Sequence, residues 1–122
     1  MKLICAVAAL AAIAASPVYA DCTPPQAPQN LPDGNTATLQ QMVAGQKAVK
    51  AYNDATNAYL ACLSNDHKAA LAAAGPKATD DQKAKLDQIE TSKHNAAFDQ
   101  LNNVVNSFNE QIRIWKAKNS KG

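Results

Sequence analysis

Glycine and aromatic residues are scarce in this chain of 122 residues, with four glycines and 5% aromatics. No glycine-rich phosphate loop and no G-x-S-x-G elbow occurs, which sets aside nucleotide chemistry of the P-loop kind and α/β-hydrolase catalysis. Cysteine is also sparse, at three, and no pair has the C-x-x-C spacing of a redox catalyst. There are only two histidines, His67 and His94. Neither sign of charge dominates, so the chain does not read as a coat for nucleic acid or for an anionic surface. No Asn-x-Ser/Thr sequon is present.

What is there begins with an export signal. MKLICAVAALAAIAASPVYA places Lys2 before an apolar run from Leu3 to Ala15 and closes on Val18-Tyr19-Ala20. Small residues stand at the two positions a signal peptidase reads, and the run is too short for a membrane span. Residues 1–20 are therefore expected to be a signal peptide cut after Ala20, an uncut signal anchor being the alternative. A lipoprotein fits poorly, because Asp21 precedes Cys22 and Tyr19 stands where an aliphatic residue belongs. The location expected is periplasmic or secreted, with no stable membrane anchor after cleavage. Without Lys2, eleven Lys and Arg face ten Asp and Glu.

Cys5 leaves with the leader, so Cys22 and Cys62 remain in a compartment where disulfides persist. They are expected to pair; free thiols or an intermolecular bridge are the alternatives. A mature chain of about a hundred residues has a modest core that such a staple would help.

From Leu39 onward the pattern is helical. Leu39, Met42, Val43, Val49, Tyr52, Tyr59, Leu60 and Leu63 recur at threes, fours and sevens. Thr36 or Thr38 can cap this helix, the latter with Gln41 as a capping box, and Gly75-Pro76 ends it. Thr79 to Gln82 forms a second capping box with Asp80 and Asp81 in the first turn. Leu86, Ile89, Ala97, Leu101, Val104, Val105, Phe108, Ile112 and Trp115 then mark the apolar stripe of a second helix, with Arg113, Lys116, Lys118 and Lys121 at its end.

The expected fold is all-α: an antiparallel two-helix hairpin over residues 36–74 and 80–118, preceded by an extended Pro-rich segment (21–35) and followed by a flexible tail (119–122). Each helix would be ~55 Å long. Folding about the joint sets Leu63 near Glu90, Tyr52 near Leu101, Met42 near Ile112 and Leu39 near Trp115. Cys62 lies ~39 Å along the first helix from Thr36. Cys22 lies ~43 Å from Thr36 if the intervening chain is polyproline II. The lengths match, so a segment running back along the helix would bring the sulfurs together. Pro24, Pro25 and Pro28 would then meet Tyr52 and Tyr59, as proline ligands meet aromatic grooves, unless both tyrosines face the second helix. Gly45 would permit a close approach by the segment or by the second helix.

CTPPQAPQNLPDG, QKAVKAY and NAYLACL together resemble a pattern in small exported proteins of Gram-negative bacteria to which no activity is assigned. The resemblance covers residues 22–63, and its most recognisable parts are the paired cysteines, the PDG and the spaced tyrosines. It implies a periplasmic protein and transfers no catalytic residue.

Candidate chemistry is thin. Glu90 and His94 share a helix face as half a metal site, yet His67 falls about two turns away, so surface histidines are the better reading and no metal or other cofactor is expected. Asp80-Asp81 lacks the spacing of an EF-hand and is explained by capping. The apolar and basic end of the second helix has an interfacial-membrane flavour, diluted by Asn102, Asn103, Asn106 and Asn109. The expectation is a non-enzymatic structural or protein-interaction module. Leu39, Met42, Val105, Ile114 and Trp115 are read as an interaction surface, more than one facing helix can cover, that favours a homodimer or binding to another envelope protein. An apolar-ligand or unfolded-client binder is the alternative.

Overall fold

A computed structural model describes residues 21–121; the expected signal peptide, residues 1–20, lies outside the described residues. Two long helices follow a Pro-rich segment: α1 (Leu39–Ala74) and α2 (Asp80–Asn119). They pack as an antiparallel hairpin, and no strand occurs among the described residues. No described helix is long and apolar enough to cross a membrane.

Both helices start for the same local reason. Thr38 accepts a hydrogen bond from Gln41 N–H at 3.2 Å while its own N–H donates to Gln41 Oε1 at 2.8 Å. Thr79 and Gln82 repeat the exchange at 3.2 and 3.0 Å. Each box satisfies two N–H groups that a helix start otherwise leaves unpaired. Only α2 carries acids in its first turn and lysines in its last. α1 ends at Gly75, whose φ of 74° is costly for any residue with a Cβ. α1 begins three residues later than expected because 33–37 already form a turn: Thr36 and Ala37 N–H both donate to Asp33 O. At the other end α2 runs one residue past the expected limit, and Ser120 N–H still donates to Lys116 O.

Three residue pairs fix the register. His67 Nε2 lies 2.7 Å from Asp87 Oδ1 near the turn, Gly45 faces Phe108, and Trp115 reaches Ala37 at the open end. This is the alignment that folding about Gly75–Ala78 dictates. The core runs from Met42 to Leu63 on α1 and from Ala97 to Phe108 on α2; the turn half contributes no buried side chain. Tyr59, Leu63 and Ala97 form one cluster in it, with Cys22 and Leu60 packed against them. Among the described residues Thr56 alone is wholly enclosed, and its hydroxyl donates to Tyr52 O at 2.8 Å, so no polar atom is stranded there.

Candidate functional site

Cys22 and Cys62 form a disulfide with their Cα atoms 5.8 Å apart, closing a loop of 40 residues. Between that bond and Thr38 the chain forms a strap along the hairpin. Pro24 and Pro25 line one hollow with Tyr52, Thr56 and Tyr59 of α1 and with Lys93, Ala96, Ala97 and Gln100 of α2. Pro25 and Pro28 line the next with Ala48, Ala51, Tyr52 and Ala55. The prolines thus lie where the disulfide register sets them, in a groove that both helices share rather than against α1 alone. Tyr52 and Tyr59 serve both roles considered for them, being buried between the facing helix and the strap.

Further along, the strap presses on α1 at Gly45. A Cβ there would lie 2.7 Å from the Pro32 ring and 2.8 Å from Phe108, so the missing side chain admits strap and facing helix together. The strap then crosses onto the end of α2. Gly34 N–H donates to Gln111 Oε1 at 2.8 Å. A Cβ on Gly34 would collide with the Gln111 carbonyl and come within 2.9 Å of Trp115 N. The Trp115 indole N–H donates to Ala37 O at 2.9 Å, and the Lys118 ammonium donates to Asn35 O. Asp33 Oδ1 braces the turn from inside by accepting from the backbone and side-chain amides of Asn35.

That latch corrects the expected interaction surface. Met42 is only 6% exposed and belongs to the core. Ile114 and Trp115 are half-buried, with the Gly34 turn packed on them. Their apparent surplus over one facing helix is taken up by the chain's own residues 32–37. Of the five expected residues, Leu39 is the one that stands well exposed, at 62%, and Val105 is half-buried.

The apolar groups left to solvent lie elsewhere. Phe98 is 49% exposed, Ile89 46% and Val43 42%. Phe98 stands on the side of α2 away from the strap, stacked on His94 with ring centroids 6.4 Å apart and planes 17° from parallel. Ile89, with Leu63, Leu86 and His67, lines a small hollow on the turn side of the disulfide. The histidines do not converge, and no group of three metal-ligating side chains occurs among the described residues.

Ion pairs sit at the periphery. The Lys50 ammonium is 2.7 Å from Asp54 and, first by hydrogen bonding and then by its charge, holds that carboxyl below its ordinary pKa. Arg113 does the same for Glu110 through a fork of two hydrogen bonds, and its own pKa is raised in return. Both pairs are exposed and contribute little.

Residue patterning misses Gly34, Gln111 and Thr56. The first two act across 77 residues of sequence; Thr56 sits in the core stripe of α1 and is passed over because threonine is not counted as apolar. No protein-family model, no curated protein and no solved structure matches the chain.

Proposed function

We propose that the chain is a non-enzymatic protein-interaction module of the bacterial envelope, a stapled hairpin that presents one helix face to a protein partner. The observation that carries this reading is the asymmetry of the hairpin. One groove is covered by the chain's own Pro-rich strap, which uses Tyr52, Tyr59 and Phe108 internally. On the opposite side Phe98 stays half exposed and held in place by His94. An ordered aromatic on a rigid helix loses little side-chain freedom on binding, which suits a contact residue. The disulfide supports an oxidising compartment, in keeping with the export signal and with the resemblance to exported proteins.

Site-specific photocrosslinking in the envelope tests this. A photoreactive residue at Asn102, on the side of α2 that bears Phe98, is expected to give protein adducts. The same residue at Ala55, beside the strap, is expected to give none. Adducts from neither position, or from Ala55 alone, contradict the reading.

Exposed Leu39 and Val43 at the open end favour one alternative, an apolar-ligand or unfolded-client binder. It requires that the folded protein displace an apolar dye or slow the aggregation of a model client; failure in both removes it.

A further inference from the structure

The face of α2 turned away from the strap has a pattern that maps onto itself. Asp87, Thr91, His94, Phe98, Val105, Asn109, Ile112 and Lys116 succeed one another along it, in pairs equidistant from a midpoint between Leu101 and Asn102. At 3.6 residues per turn all eight lie within a stripe about 60° wide. Asp87, Thr91, Phe98, Asn109 and Lys116 are exposed and His94, Val105 and Ile112 half-buried, with Phe98 at 49% exposure.

We propose that this stripe docks a second copy of the chain, α2 against α2 and antiparallel, about a two-fold axis through the midpoint; the proposal rests on the interaction-module reading and names its partner. The axis sets Phe98 against the second copy's Val105, Ile112 against its Thr91 and His94 against its Asn109. It also brings each Asp87 to a Lys116, once at either end. The apolar contacts occupy the centre and the opposite charges the rim, ~43 Å apart along the helix. A parallel in-register pairing would oppose Asp87 to Asp87 and Lys116 to Lys116, so charge selects the antiparallel arrangement. A repeat of seven also keeps two helices in contact over several turns, at the shallow crossing of helical bundles. Two hairpins joined in this way make a four-helix bundle with a strap on each outer face. The stacked His94 holds Phe98 in place before docking.

Sedimentation equilibrium of the oxidised protein, from low to high micromolar concentration, reads the association. Wild type is expected to form dimers. Phe98→Glu is expected to weaken association at least ~30-fold with helical circular dichroism unchanged. Asp87→Lys and Lys116→Asp are each expected to weaken it by roughly tenfold. An equimolar mixture of those two single variants should regain wild-type affinity, because the mixed dimer matches charge at both ends. That rescue does not depend on the small loss of stability expected when Asp87 releases His67. A wild type that stays monomeric at high micromolar concentration overturns the proposal, as does a mixture no tighter than its components. If the monomer nevertheless crosslinks to another protein from Asn102, self-docking falls and the interaction reading stands. With neither association nor adducts, both fall.

Discussion

Two glycines hold the strap in place, and they do it by lacking a side chain at points of close approach. Gly34→Ala must push a methyl into the Gln111 carbonyl and the Trp115 backbone. The expected loss is about 1–3 kcal/mol, with Trp115 fluorescence shifted to the red as the turn lifts away. Gly75→Ala provides a contrast, since nothing lies near that position and only its φ of 74° resists a Cβ. It should cost about 1–3 kcal/mol and leave the tryptophan signal unchanged. Urea unfolding with fluorescence separates the two. At the same scale, the lowered pKa values of Asp54 and Glu110 fix the sign of one pH effect. A carboxyl whose native pKa lies below its unfolded value stabilises the fold above the unfolded pKa. That contribution is lost as pH falls through the native pKa. Paired with Lys50 and Arg113 at the surface, these groups contribute little, so Asp54→Asn with Glu110→Gln should slightly reduce the loss of stability between neutral and acid pH. A larger acid loss in the double variant than in wild type would contradict the assignment.

Among the elements, the strap is the one whose stability rests on a single covalent bond at one end and on hydrogen bonds at the other. Replacing Cys22 and Cys62 by serine removes a 40-residue cross-link. On the chain-entropy model that costs ~4 kcal/mol. The latch at Gly34, Ala37 and Asn35 is independent of the bond, so residues 22–30 should become open to protease while Trp115 keeps its native emission. Cleavage appearing first within α1 or α2 would contradict that division. The helices themselves were readable from local chemistry: two Thr-x-x-Gln boxes, a Gly-Pro stop and apolar residues at helical spacing. The disulfide was readable because two rod lengths agreed. The strap's crossing onto α2 was not, because Gly34 meets Gln111 and Trp115 only after the hairpin has closed. Periodicity assigns each apolar residue to a helix face and has no place for a third element lying on it. Ile114 and Trp115 consequently read as surplus surface, and Met42 with them, when the strap turn and the facing helix were what covered them.

For the molecule as a whole, a pair of helices of 36 and 40 residues has a thin core. Buried side chains stop at Leu63 and Ala97, short of the turn, where His67 and Asp87 supply one polar tie between the helices. His67→Ala should therefore speed amide exchange from Asp66 to Glu90 several-fold while leaving the core near Tyr52 and Leu101 unchanged; uniform acceleration across both helices would argue against such a division. The strap adds a third layer along one side of this pair and leaves the side bearing Phe98 open to solvent. The chain's own Pro-rich segment lies in the groove between its helices. Nuclear Overhauser contacts test it most directly, in the oxidised protein, between the Pro32 ring and the Phe108 ring and between the Pro24–Pro25 rings and Tyr52 or Tyr59. Both sets of contacts are expected. Proline resonances at random-coil positions, with no contact to either helix, would contradict it.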